Sequence, residues 1–428
     1  MTQTASISSL EQMKERIKVR WGDEPRWSLE RRLLAAEQIF EKDWPRLERT
    51  PLKKRKLDEI PVWTGDGRLT APARPTVRKD EPYAAWLTFA DHDVKVWEVG
   101  AALQDNGVIA APLASVLTHP LVQTHLGHLI ADDSDKISAL TAALWEGGMF
   151  LYVPDGFAEP VSLFIEHQAT HLARGVFIRN LVWAGRGARV VVSERLTTEE
   201  GGEKALLTEN TEIFVQEDAE VEYGAIQLCS LPAHSFLRRY GRVGARGKLL
   251  WNVGEFGAQL AVAEQVTHLS EPGASSNSIT VFFGSRQQHQ DYTAKSLHHA
   301  PHTQSNMVAR GVMKDKARSI FTGVTHIESG AKGSDGRQRE QTLMLSDEAR
   351  ADAIPSLIID ERDVYAAHAA SAGPVDKSWV FYLMSRGLSE SEAVRLIVHG
   401  FLAPVIDSIP RPLLRDAVWD AVERKIRE

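Results

Sequence analysis

From Phe150 onward the chain breaks into short runs rich in valine, isoleucine and aromatic residues, with small turns recurring at intervals of about 26 to 32 residues. The runs fall at 150–153, 161–165, 176–183, 189–193, 211–216, 220–226, 248–253 and 278–283. Their composition favours the pleated conformation, and several alternate apolar with polar residues, as strands with one buried face do. Between them lie Gly185-Arg186-Gly187-Ala188, Glu217-Asp218-Ala219, Ala245-Arg246-Gly247 and Pro272-Gly273-Ala274, all rich in residues that tolerate tight turns. Repeated strands at such spacing, without helical periodicity between them, imply stacked coils of a β-solenoid. A two-sheet sandwich is the competing architecture.

Helical periodicity flanks this region. Before it, Ser28 is placed to cap a helix with Leu29, Leu33, Ala36 and Phe40 on its apolar face, and a second helix from about Ser134 carries Ile137, Leu140 and Leu144, ending at Gly147-Gly148. The run Lys53-Lys54-Arg55-Lys56 between them reads as a solvated linker, with an anion contact as the alternative. After it, Val380, Phe381, Leu383 and Met384 form a short apolar helix stopped by Gly387. Ser389-Glu390-Ser391-Glu392 is a capping box opening a helix with Ala393, Leu396, Ile397 and Phe401 on one face, and a last amphipathic helix carries Leu414, Val418, Ala421 and Val422. The expected organisation is a helical region and linker over 1–149, a β core over 150–375 and a small helical domain over 376–428.

Composition narrows the function. Net charge is −7, which disfavours a broad nucleic-acid surface. The one cysteine, Cys229, excludes an intrachain disulfide and suits a reducing compartment. A single thiol is also too few for an iron–sulfur cluster, which takes about four ligands. The N-terminus lacks a signal-type apolar core and no run approaches the roughly 20 apolar residues of a membrane span, so a cytoplasmic protein is expected. Phosphate-loop, dinucleotide-binding, Cys-x-x-Cys, nucleophile-elbow and His-Glu-x-x-His motifs are absent from the sequence. Catalysis is not expected, and any ATP-driven step must come from a partner.

Histidine is the remaining chemistry. His298, His299 and His302 cluster in Lys295-Ser296-Leu297-His298-His299-Ala300-Pro301-His302, and His289 and Asp291 just upstream share one face of a strand. These residues read either as a metal or transfer site of neutral imidazoles or as hydrogen-bonded histidines along a solenoid turn. The lack of a companion cysteine and the non-zinc spacing favour the second. His368 sits among small residues in Tyr365-Ala366-Ala367-His368-Ala369-Ala370-Ser371. That setting leaves room for a ligand or another chain, or packs the ring at the junction with the C-terminal helices. Cys229 reads as a small buried hydrophobe.

At these residues the chain resembles a known family. Ile354-Pro355-Ser356-Leu357-Ile358-Ile359, the run from Arg362 to Gly373, and Phe381-Tyr382-Leu383-Met384-Ser385-Arg386-Gly387 are similar to the C-terminal signature of the SufB/SufD family of iron–sulfur cluster assembly scaffolds. Family-like segments also occur at 153–156, 290–305 and 318–323. Having a single cysteine, outside the signature, the chain resembles the SufD branch. The resemblance implies a right-handed parallel β-helix between two helical regions. It also implies a complex with a SufB-like protein and the SufC ATPase, or a homodimer when SufB is absent. It places SufC on the C-terminal helices through Phe381, Leu383, Met384, Leu396, Ile397 and Phe401, and SufB on the β-helix. A transient iron–sulfur cluster would form at the SufB interface with His368 as the tentative ligand, and no intrinsic cofactor is implied. The sequence departs from the family pattern where Ala366 replaces the signature cysteine, Ala369 the glycine and Ser371 the threonine. Two other readings of the residues stand beside this one: a carbohydrate-active β-helix enzyme and a non-catalytic, homo-oligomeric β-helix binding module.

Overall fold

The computed structural model describes residues 9–60, 83–170, 175–199 and 204–428. The reading of the N-terminus as free of a signal segment rests partly on residues 1–8, which lie outside the described residues.

Helices α1 (Leu10–Trp21) and α2 (Arg26–Glu41) come first, followed by strands β1 (Ala85–Ala90) and β2 (Asp93–Val99), helix α3 (Ala101–Asp105), strand β3 (Ile109–Pro112), and helices α4 (Pro120–His125) and α5 (Lys136–Leu144). Among the described residues sixteen strands follow. They are β4 (Met149–Val153), β5 (Val161–Ala169), β6 (Gly175–Ala184), β7 (Arg189–Thr198), β8 (Leu206–Val215), β9 (Glu220–Leu228), β10 (His234–Val243), β11 (Lys248–Glu255), β12 (Leu260–Leu269), β13 (Ser275–Gly284), β14 (His289–His298), β15 (Gln304–Met313), β16 (Arg318–Ile327), β17 (Asp335–Met344), β18 (Arg350–Ile359) and β19 (Tyr365–Pro374). Helices α6 (Lys377–Ser385), α7 (Glu390–Ile406) and α8 (Pro412–Arg427) close the chain.

From β4 onward each strand pairs in parallel with the strand two positions on, so even strands build one sheet and odd strands the other. This is the parallel β-solenoid, and it removes the sandwich alternative. The coils stack through their corners. Gly187, Asp218, Arg246, Gly273, His302 and Gly333 adopt φ between +54° and +74°, the left-handed region that most side chains avoid. Backbone bonds between successive corners hold the non-glycine members there: Asp218 N donates to Ala245 O (2.9 Å), Arg246 N to Pro272 O (3.1 Å) and His302 N to Lys332 O (2.8 Å).

The inner faces of the two sheets bury two apolar clusters. One, around Leu163, Val192, Val221, Trp251 and Leu269, fills the early coils. The other, around Ile178, Leu237, Phe282, Tyr292 and Phe321, runs into the later ones. The outer faces are covered on opposite sides. The N-terminal helices lay Ile17, Ala36, Leu140 and Trp145 on Phe177, Phe214 and Phe236 of the even sheet. Helices α7 and α8 lay Val398, Leu402, Val418 and Val422 on Ile279, Val281 and Phe283 of the odd sheet. Coverage on both sides explains why β8 is buried along its whole length.

Three details differ from the sequence expectation. Helix α2 starts after Pro25, and Ser28 lies inside it, donating its hydroxyl to Glu24 (2.7 Å) rather than capping. The buried face is Ser28, Arg32, Ala35, Ala36 and Ile39, and Phe40 is exposed. The face is rotated because Arg32 can be buried: its guanidinium pairs with Glu24 at 2.8 and 2.9 Å and lies 4.3 and 4.5 Å from the Trp21 and Trp145 rings. Strands β1–β3 fall in the region read as helix and linker. β10, β12 and β14–β17 carry polar residues on buried positions, which masked their alternation.

Candidate functional site

The two ends of the solenoid are built differently. At the start, β1 adds in parallel to β5 and turns back through antiparallel β2, while β3 pairs antiparallel with β4. At the other end, β18 and β19 are the last strands of their sheets, and their outer edges have no strand partner among the described residues. Each is ten residues long. An unpaired strand edge is a template for another chain.

The outward donors can be assigned. Tyr365 N bonds Ser334 O and Val375 N bonds Met344 O, so the odd-numbered amides of β19 face β17. The amides of Ala366, His368, Ala370 and Ala372 therefore face the open edge, since residues alternate sides along a parallel ladder. In β18, Arg350 N bonds Ala317 O and Asp360 N bonds Ile327 O. Pro355 thus falls on the open side, where its missing N–H breaks no ladder bond.

His368 lies on the inner side of this last coil. Its register partner in β17 is Gln338, which is buried, as are Gly336 and Glu340, the partners of Ala366 and Ala370. No further coil covers His368, and it is exposed. Beneath it, burial pushes the Glu340 carboxyl up to about 8, and Gln338 Oε1, Thr325 Oγ1 and Thr342 Oγ1 are buried without a hydrogen-bond partner. A polar interior thus ends in an imidazole at an uncapped edge. Ala366 occupies the neighbouring inner position and contributes no ligand atom.

A second exposed surface adjoins the open end. Asp376 caps α6 through Ser378 N (2.8 Å), and the Ser389–Glu392 capping box opens α7. Trp379, Phe381, Tyr382 and Met384 between these caps, and Leu396 just beyond the second, are exposed, with Phe381 at 72%. Of the sequence-identified face, Phe381, Met384 and Leu396 are exposed, while Leu383 and Ile397 are half-buried. Phe401 turns inward onto the odd sheet, with the Arg310 guanidinium 5.2 Å from its ring. Trp379 and Tyr382 were missed, although both stand beside the apolar positions that marked the helix.

The other histidines singled out by the sequence have structural surroundings. His298 is buried between Thr303 Oγ1 and Ser305 Oγ, both at 2.8 Å, and burial holds it down at about 4. His299 stacks on His268 (5.3 Å between centroids) and reaches Glu328 Oε2 at 2.8 Å. His302 is the corner residue described above. His289 and Asp291 do converge, on Thr50 of the N-terminal region. Thr50 Oγ1 donates to Asp291 and so accepts from His289 Nε2 at 2.7 Å. This clasp ties the N-terminal segment to β14. Cys229 is buried, and burial raises its thiol pKa far above the ordinary value, which keeps it from acting as a thiolate. Among the described residues no three His, Cys, Asp or Glu side chains are grouped to hold a metal ion, and no helix is long and apolar enough to cross a membrane.

Comparison with known proteins gives a consistent result. Residues 164–401 match the family model described as SUF system FeS cluster assembly, SufBD core domain. The iron–sulfur cluster assembly protein SufD of Bacillus subtilis is 30% identical over 417 residues, covering 94% of this chain and 95% of that protein. An iron–sulfur cluster assembly SufBD family protein of Staphylococcus saprophyticus is 27% identical over 407 residues, covering 91% of this chain and 87% of its own.

Proposed function

The chain belongs to the SufBD family of SUF-system iron–sulfur cluster assembly proteins, and we propose that it works as a non-catalytic SufD-type scaffold subunit whose open solenoid end receives a SufB-like partner. The carrying observation is the ten-residue edge of β19, with outward amides at Ala366, His368, Ala370 and Ala372 and His368 at the end of the polar interior. A partner strand adding there would satisfy those amides, extend the sheet and bury His368 at the new junction.

The nascent cluster is cargo. His368 supplies one imidazole nitrogen, a suitable ligand for iron. With Ala366 in place of a thiol, the remaining ligands come from the partner. The exposed aromatic and aliphatic face of α6 and α7 docks a SufC-like ATPase, because such side chains supply most interface energy once desolvated. Three regions share the work: 1–149 covers and closes one end, 150–375 is the scaffold, and 376–428 carries the ATPase contact. The cytoplasm, with its reduced thiols, is the compartment that suits the single free cysteine. Without SufB, the same edge receives a second copy of this chain.

Co-expression with SufB and SufC tests the reading. A ternary complex that loads iron and sulfide, with His368→Ala preserving the complex but lowering cluster content, supports it. Unchanged cluster content in His368→Ala removes His368 from the ligand set. Failure to form the complex removes the scaffold role.

A further inference from the structure

Midway along the solenoid the interior gathers three carboxylates around one guanidinium. Arg239 of β10 is 3% exposed and reaches three carboxylates: Glu209 at 3.2 Å, Glu194 at 3.5 Å and Glu255 at 3.1 Å, all essentially buried. Glu194 also accepts from Tyr223 Oη (3.0 Å) and Asn180 Nδ2 (3.1 Å), and Glu209 from Thr211 Oγ1 (2.6 Å). Glu255 uses one oxygen for Arg239, and its other oxygen, Oε2, is buried without a partner. The hydroxyl of Tyr292, a residue 3% exposed, is likewise buried and unpartnered.

These two orphaned oxygens belong to residues lining one cavity. It has a volume of about 20 Å³ and is bordered by Arg239, Glu255, Gln265, Thr280 and Tyr292 among others. Such a space holds roughly one water-sized particle. A water would satisfy the hydrogen bonds but not the charge. Burying three carboxylates around one guanidinium is costly, and that cost shows in Glu194 and Glu255, which burial pushes up to about 8 and about 7.

We propose that this cavity binds one desolvated monovalent cation between Glu255 Oε2 and the Tyr292 hydroxyl, with Thr280 and Gln265 completing an oxygen cage. The chemistry selects the class. The site offers one free carboxylate oxygen and otherwise neutral oxygens, too few anionic ligands for Ca²⁺ and no room for the waters that Mg²⁺ retains. With no thiolate or imidazole among its lining residues, it does not suit a soft transition metal. Na⁺, K⁺ and NH₄⁺ fit the volume, and larger organic cations do not.

The test uses the full chain and thermal unfolding in NaCl, KCl, NH₄Cl or choline chloride at one ionic strength and pH. At least one small cation is expected to raise the unfolding midpoint by about 2–4 °C over choline. Glu255→Gln is expected to abolish that difference and Tyr292→Phe to reduce it. If Glu255→Gln does not fold, Tyr292→Phe decides alone. Equal midpoints in all four salts, meaning water or protons fill the site, overturn the proposal. So does a cation effect that persists undiminished in the folded variants.

Discussion

The solenoid's two ends pose the same physical problem and solve it in opposite ways. Stacked coils must terminate somewhere, and each terminus exposes two strand edges. At the N-terminal end the chain spends its own residues on the problem: β2 and β3 run antiparallel against β1 and β4, close the edges of the parallel coils, and themselves form short outermost strands of seven and four residues. At the C-terminal end β18 and β19 stop at full length, and the chain leaves for its last helices without covering them. β18 carries Pro355 and the charges of Arg350 and Asp352, devices that blunt natural edges. β19 carries no charged residue and no proline before Pro374. The closed end is therefore a stability element, and the open end is the one that, on the proposed function, receives another chain.

Substitutions at the two ends should act on different quantities. The largest effect is expected from Ala370→Pro, which removes an outward amide without breaking the ladder to β17. SufB capture should weaken about 100-fold, equivalent to about 2.7 kcal/mol, with the unfolding midpoint nearly unchanged. A binding titration beside thermal unfolding separates the two. Leu396→Asp places a charge on the exposed face beside the open end and should weaken SufC binding by roughly tenfold or more, leaving SufB capture intact. Full-strength SufC binding by the folded variant would move the docking face elsewhere.

At the closed end the quantity reverses. Leu87 of β1 is fully buried, so Leu87→Ala should cost about 2–5 kcal/mol of stability while partner capture in the folded fraction stays normal. Loss of capture in that variant would erase the distinction between the ends. The smallest effect concerns pH. Glu340, beneath His368, is held protonated up to about 8 by burial. Its folded-state value lies above its unfolded one, near 4.5, so between these values the folded chain binds more protons and stability falls as pH rises. Denaturant titrations across pH 5 to 8 should show this slope in the wild type and a shallower one in Glu340→Gln.

Much of the fold was legible because corners obey local chemistry. The turns at Gly187, Asp218, Arg246 and Gly273 announced themselves through glycine, proline and acidic residues, and their spacing is the coil length. Strands such as β10 and β12 were not legible, because Arg239 and Gln265 stand at inner positions where alternation demands apolar residues. The closing strands β1–β3 were missed for a related reason: their edges are set by pairing with β4 and β5, distant in sequence. In α2, burial of Arg32 depends on Glu24, Trp21 and Trp145 together, which periodicity alone does not encode.

The site was legible in part. His368, Phe381, Met384 and Leu396, singled out from the signature and from helical spacing, are exposed in the structure. The sequence did not disclose that His368 stands on an uncovered inner position, a consequence of where the coils stop. Nor did it separate Phe401, turned inward against Arg310, from Phe381, turned out. The shared face of His289 and Asp291 was legible from strand alternation, while their partner Thr50 lies 239 residues from His289.

The central claim is that the β19 edge is reserved for a partner strand. Hydrogen–deuterium exchange of this chain, alone and in complex with SufB, tests it most directly. Slowed exchange in Tyr365–Pro374 on complex formation, with β2 and β3 unchanged, is the expected result. Protection confined to other surfaces, with the amides of Ala366, His368, Ala370 and Ala372 still exchanging as in the free chain, would contradict it.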